Sequence, residues 1–317
     1  MSSCRVARGA QHALRSFACL FGLLACPSTE PSPVQKQADP VVQQTPDEPG
    51  RRVSVGASSM YIECAGLGSP TVVFEAGLGG NSGVWEGVIT DVRRQTRACR
   101  YDRLGTGRSD AAARPHSPVD MAIELSELLT AAGERAPLVL VGHSLGGINA
   151  RLYVQDHPSA VVGLVLVESM HEDQDQRVGA LAPEAVQQQG RAQLEANREG
   201  LTSESLNEGL AALRRGQRSL GDRPLVVLSA GLPPRSLPGV DEQTAQHMWT
   251  ERRALQAELA QLSSNSAQVI AEHSGHAVPR DQPRLIVDAT LEVVRAVRQG
   301  QRVQSERVLA GTGGAQP

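Results

Sequence analysis

The stretch Pro137-Leu-Val-Leu-Val-Gly-His-Ser-Leu-Gly-Gly147 decides how this chain is read. Its first five residues are apolar and of strand length, and a helical pattern, Leu145–Gln155, begins where they end. Between the two lies Gly142-His143-Ser144-Leu145-Gly146. The bare pattern Gly-x-Ser-x-Gly arises by chance in about one chain of this length in four, so alone it says little. The setting says more, because strand, tight turn and helix are what a nucleophile elbow requires. Ser144 is expected to take strained backbone angles there, with its hydroxyl standing clear of the sheet beside the start of a helix that favours negative charge. The competing reading is a serine that merely caps the helix.

Outward from this stretch the periodicity alternates strands with helices. Apolar runs of strand length occur at Met60–Cys64, Thr71–Glu75, Arg97–Asp102, Pro137–Gly142, Val161–Glu168, Pro224–Ser229 and Gln268–Glu272. Helical patterns lie at Val84–Arg94, Met121–Ala132, Leu145–Gln155 and Arg284–Arg298. Such alternation predicts an α/β fold, a mostly parallel sheet with helices on both faces. Two stretches interrupt it: polar, helical His171–Arg223, and Leu232–Leu262, which opens with prolines and continues as an amphipathic helix. Insertions of this kind pack over the carboxyl edge of a sheet, where ligands bind.

The first 26 residues differ from the rest. Arg5, Arg8 and Arg15 precede an apolar run, Phe17 to Ala25, with no acidic residue among them, the pattern of a secretory signal. The run is too short to span a bilayer. Leu23-Leu24-Ala25-Cys26 resembles the bacterial lipobox, which implies a signal peptide over 1–25 and lipid on Cys26; an ordinary signal with an incidental cysteine is the plainer alternative. Residues 26–50, rich in Pro, Gln, Ser and Asp, read as a disordered tether that holds a folded body off a membrane. The expectation is an exported, membrane-anchored bacterial lipoprotein. With Cys4 and Cys19 lost and Cys26 lipidated, Cys64 and Cys99 remain as an even pair in an oxidising compartment, which favours a disulfide over two buried thiols.

The chain has 317 residues, 40% hydrophobic and 21% charged, a globular balance long enough for two small domains or one large one of the α/β kind. Formal charge is −3, and −6 once 1–25 are removed, since that segment carries three arginines and no acid. One lysine, Lys36, stands against thirty arginines, and aromatic residues make up 3%. No net basic field gathers phosphates, so a nucleic-acid partner is not expected.

Together these motifs resemble the α/β-hydrolase fold superfamily over nearly all of residues 51–299. Four more segments match in order. Phe74-Glu-Ala-Gly-Leu-Gly-Gly80 resembles the glycine-rich loop after the third strand, with Ala76 where relatives usually have His. Tyr101-Asp-Arg-Leu-Gly-Thr-Gly-Arg-Ser109 resembles the turn after the fourth strand. Ser274-Gly-His-Ala277 resembles the catalytic-histidine loop, and Asp281-Gln-Pro283 the entry to the last helix. The resemblance implies an eight-stranded sheet, a core of 51–169 and 224–299, a helical cap at 170–223 and a loose tail at 300–317. It also implies that the second and fourth strands are neighbours, which sets Cys64 beside Cys99.

Roles follow from the same resemblance and from chemistry. A serine hydroxyl needs a base, and that base needs a carboxylate to hold its tautomer. His12 lies in the signal; His116 and His157 in connections; His171 and His247 in the insertions; His143 flanks Ser144 but is expected to point away. The loop match selects His276 and leaves His273 as structural; no third ligand accompanies this pair, so a metal site is not expected. For the acid, nothing acidic follows the seventh strand until Asp241, whereas the sixth strand ends in Glu168; Glu168 is preferred, with Asp241 and Asp173 left open. The oxyanion donors are expected to be the amides of Leu145 and Leu78. A dinucleotide cradle fails on spacing, since residue 82 is Ser where a third glycine is needed.

The expected activity is acyl transfer to water through an acyl-serine, with carboxylic esters as the default small-molecule substrate and no cofactor. Perhydrolase or haloperoxidase-like and peptidase activities would use the same residues, and a non-catalytic binding protein of this fold is the alternative from another class. Ser144 argues against epoxide hydrolases and haloalkane dehalogenases, which carry Asp at the elbow. Trp85 and Trp249 are read as core residues more readily than as pocket walls.

Overall fold

Two alternating rows of buried side chains run along the central strands, and they explain the architecture. The computed structural model describes residues 50–216, 219–234 and 238–310. Its strands are β1 (Arg51–Val55), β2 (Ser58–Ala65), β3 (Thr71–Glu75), β4 (Ala98–Asp102), β5 (Leu138–His143), β6 (Val161–Val167), β7 (Leu225–Ala230) and β8 (Ser266–Ala271). They form one eight-stranded sheet in the order β1-β2-β4-β3-β5-β6-β7-β8. The β1–β2 and β2–β4 pairs are antiparallel and the other five parallel. In β5, β6 and β7 successive residues enter opposite cores: Leu138, Leu140, Leu164, Leu166, Leu225 and Val227 on one face, Val139, Val141, Val165, Val167, Val226 and Leu228 on the other. Burial on both faces is why these strands read as unbroken apolar runs.

The helices are α1 (Glu86–Arg93), α2 (Pro118–Ala132), α3 (Leu145–Asp156), α4 (Gln174–Arg177), α5 (Glu184–Glu195), α6 (Ser203–Arg215), α7 (Glu242–Ala260), α8 (Val278–Asp281), α9 (Pro283–Gln299) and α10 (Ser305–Ala310). Residues of α2, α3 and α6 fill the first core, and those of α1, α9 and α10 the second. Local chemistry sets the ends of α2. Ser117 accepts from the Asp120 amide while Asp120 reaches back to the Ser117 amide, Pro118 starts the helix, and Gly133 closes it in the left-handed region.

Two expectations need correction. The sheet has a first strand, β1, that was not among the runs read from the sequence, because Arg51-Arg-Val-Ser-Val55 offers only two inward residues. The stretch from Gly300, expected as a loose tail, continues into α10 and is anchored there: Val308 is fully buried in the second core, and the Val303 amide donates to Asn265. The expected signal peptide, Cys26 and residues 26–49 of the tether lie outside the described residues, as do 311–317. Among the described residues no helix is long and apolar enough to cross a membrane.

Cys64 and Cys99 sit directly opposite one another in the antiparallel β2–β4 pair and are joined by a disulfide. The bond closes a loop of 35 residues, and by the chain-entropy argument such a loop stabilises by about 2–4 kcal/mol. The double variant Cys64→Ala/Cys99→Ala should melt roughly 5–10 °C lower in calorimetry, whereas an unchanged melting temperature would contradict a stabilising role.

Candidate active site

Parallel strands deliver their carboxyl ends to one edge of the sheet, and at that edge the turn after β5 is sharp. Ser144 has φ 54° and ψ −120°, between the last residue of β5 and the first of α3. Crowding explains the flanking glycines. A Cβ on Gly142 would lie 2.5 Å from the Gly146 carbonyl oxygen, and one on Gly146 would lie 2.4 Å from that of Glu75. The bend is pinned by the Ser144 amide donating to Val167 O at 3.1 Å and the Met170 amide donating to Ser144 O at 3.0 Å.

His276 comes from the loop between β8 and α8, and its Nε2 lies 3.1 Å from Ser144 Oγ. Its Nδ1 lies 3.2 Å from Oε2 of Glu168, the residue just past β6. Glu168 is itself bent to φ 43°, which turns its carboxyl inward, and it is 1% exposed. Burial would raise its pKa; hydrogen bonding from His276, the Arg252 charge and the Ala230 amide outweigh that and bring it down to about 2. Glu168 is therefore ionised throughout the neutral range. The other two acids considered are elsewhere: exposed Asp241 caps α7 through Thr244, and Asp173 pairs with Arg214.

Two neighbours were not anticipated. Arg252, on the middle of α7, donates to Glu168 Oε2 from Nε at 3.0 Å and from Nη2 at 2.5 Å, and Nη2 also lies 2.9 Å from His276 Nδ1. Only one of the two groups beside Nδ1 can be hydrogen-bonded to it in a given tautomer. When Nε2 accepts from Ser144, Nδ1 carries the proton and faces Glu168, and Arg252 is left holding the carboxylate. His143 braces the other partner: its Nε2 bonds to the His276 carbonyl oxygen at 2.9 Å and the two rings lie 4.8 Å apart. Burial, with the adjacent His276 charge, pushes His143 down to about 4, so it is neutral and donates. A shared loop contact of this kind leaves no mark in sequence spacing.

The glycine-rich loop abuts the serine, since a Cβ on Gly77 would come within 3.1 Å of both Ser144 Cβ and His143 Nδ1. The Leu78 amide meets no acceptor among the described residues, and Leu145, first in α3, has an N–H with no intrahelical partner. His273 is occupied structurally, its amide donating to Gln282. Trp85 is fully buried against Phe74, and Trp249 lines a separate cavity of about 300 Å³ with Ser229 and Ile270.

Comparison with known proteins agrees with this topology. The model of the α/β-hydrolase fold family matches residues 70–290. The chain is 28% identical to YqjL of Bacillus subtilis strain 168 over 233 residues, covering 72% of this chain and 85% of that one. Other matches at 30 to 39% identity are shorter and span under half of the relatives' own length. Among solved structures, a thermophilic esterase from Thermogutta terrifontis superposes with a TM-score of 0.53 at 20% identity, over 79% of this chain and 99% of the other. A loop variant of the haloalkane dehalogenase DbeA from Bradyrhizobium elkanii gives 0.59 at 17% identity, over 80% and 99%. With the family model spanning most of the chain and the eight-stranded sheet in place, the chain belongs to the α/β-hydrolase fold family and is a hydrolase.

Proposed function

We propose that the chain hydrolyses carboxylic esters through an acyl-serine, with Ser144 as nucleophile, His276 as general base and acid, and Glu168 as the carboxylate that holds the imidazole. The relay of contacts from Ser144 Oγ through both His276 nitrogens to a carboxylate kept ionised at neutral pH carries this reading. Structural likeness does not discriminate here, since an esterase and a dehalogenase superpose about equally well. The side chain at the elbow does, because serine forms an acyl ester that water can cleave.

In the proposed cycle Ser144 Oγ attacks the acyl carbon while its proton passes to His276 Nε2. The carbonyl π electrons move onto oxygen, where the Leu78 and Leu145 amides donate to it. Collapse expels the alcohol, which leaves with the proton from Nε2. Water then attacks the acyl-serine, giving its proton to the same nitrogen, and the carboxylic acid departs as Ser144 recovers its hydrogen. Leu78 and Leu232 are exposed apolar side chains, on the glycine-rich loop and beside the His276 loop respectively, and both favour an acyl group with some hydrocarbon character.

The disulfide is in keeping with export to an oxidising compartment, and the lipobox-like Ala25-Cys26 with attachment to a bacterial membrane. Radiolabelled palmitate fed to expressing bacteria should appear on the full chain and be absent from Cys26→Ser; equal labelling of both would rule the anchor out.

Turnover of short nitrophenyl esters tests the assignments. Ser144→Ala and His276→Ala should each lower kcat by about 10⁴-fold or more with the fold retained. Glu168→Gln should cost on the order of 10²–10⁴-fold, and Asp241→Asn, an exposed cap, should change kcat less than about twofold. Loss in the Asp241 variant alone would transfer the acid's role to it. Because Glu168 stays charged down to about pH 2, the acid limb of kcat/KM should fall with a slope of one, this carboxylate adding no second ionisation to it. A slope approaching two would mean that the carboxylate titrates there as well.

A further inference from the structure

Behind the glycine-rich loop lies a buried charge cluster that the proposed cycle leaves unused. Arg103, from the turn after β4, is 2% exposed, and four acceptors surround its guanidinium. Nε donates to Glu199 Oε2 at 2.6 Å, and Nη1 to Glu75 Oε1 and to the Ala76 carbonyl, both at 2.6 Å. Nη2 donates to the Gly77 carbonyl at 2.6 Å. Glu199, in the insertion between α5 and α6, uses its other oxygen to accept from the Gly79 amide at 2.5 Å. Glu75 is held in turn by the Tyr101 hydroxyl and by Asn149 Nδ2 at 3.0 Å. Burial would strip Arg103 of its proton, but the charges of Glu199 and Glu75 hold its pKa above the usual arginine value, so the clamp is cationic at its centre.

Three successive peptide units are thus tied down, two by their carbonyls and the third by its N–H. A trans peptide is planar, and its C=O and N–H point in opposite directions. Fixing the Gly77 carbonyl on Arg103 therefore aims the N–H of the same unit, that of Leu78, away from Arg103. The same loop abuts the serine, since a Cβ on Gly77 would come within 3.1 Å of Ser144 Cβ and His143 Nδ1. The Gly79 amide, the neighbouring candidate donor, is withdrawn onto Glu199. Contact at 198–199 requires the β4 turn to come close, and Gly105 permits it: at φ 81° a Cβ there would lie 2.2 Å from the Arg198 carbonyl oxygen.

We propose that Arg103, braced by Glu199, is a positioning residue that orients the Leu78 amide toward the oxyanion, and that Glu199 couples this donor to the helical insertion. The inference rests on Ser144 as nucleophile. Arginine is needed because one planar fork must reach two carbonyls and two carboxylates at once, which a lysine point charge does not do.

The test compares a nitrophenyl acetate with its thionoester, whose C=S is a poor hydrogen-bond acceptor. The ratio of their kcat/KM values reports donation to the oxyanion and does not depend on how much of a preparation is folded. In Arg103→Met, Arg103→Lys and Glu199→Gln, kcat for the oxygen ester should fall about 10- to 100-fold with KM within about threefold. The oxygen-to-sulfur ratio should shrink by a similar factor, least in Glu199→Gln, where an amide oxygen still accepts from Gly79. A ratio within twofold of wild type in all three variants, with the wild type active, overturns the clamp and leaves the serine mechanism standing. A wild type that cleaves neither ester overturns the serine mechanism and the clamp with it.

Discussion

The backbone reversal at Ser144 is the constraint on which the rest of the site depends. A non-glycine residue at φ 54° and ψ −120° is unfavourable by about 1–3 kcal/mol, and it persists only where its surroundings leave no other path. Here the surroundings do so on all sides. Gly142 and Gly146 close to van der Waals contact across the turn, the serine's own amide and carbonyl are tied to the β6 end, and α3 is buried almost throughout its length. Glu168, one strand over, is bent in the same unfavourable sense at φ 43°. Two strained residues at the carboxyl ends of adjacent strands thus hold a hydroxyl and a carboxylate on either side of an imidazole from beyond β8.

Electrostatics then separates the roles of groups that are alike in isolation. Two carboxylates at this edge of the sheet meet different surroundings. Glu168, beside Arg252 and His276, is held down to about 2, whereas burial raises Glu75 despite the Arg103 charge. Beside the imidazole of His276, His143 is kept neutral by burial and braces the loop that carries His276. In each pair one member faces the serine relay and the other supports its frame.

Much of this was legible in the amino-acid order, and the boundary has physical reasons. The Gly-His-Ser-Leu-Gly turn, the parallel strands and the His276 loop are local patterns, written within a dozen residues. Glu168 was readable because an acid at the end of so apolar a strand needs a partner. Arg252, by contrast, sits on a helix of an insertion, 84 residues from the acid it holds, among many arginines with nothing to single it out. The Arg103–Glu199 contact spans 96 residues and depends on how the insertion folds back. Strand β1 was missed because two inward valines give a weak period-two signal, and α10 because a short polar helix with one buried valine resembles a fraying end.

In the proposed cycle the hydroxyl at the bend is reactive only if the strained turn and the distant imidazole are both in place. Labelling the folded chain with a fluorophosphonate and mapping the adduct by peptide mass spectrometry tests that directly. A single stoichiometric adduct on Ser144 is expected, absent when the chain is unfolded before exposure. A folded chain that takes up no label, or takes it up at another residue, would contradict it.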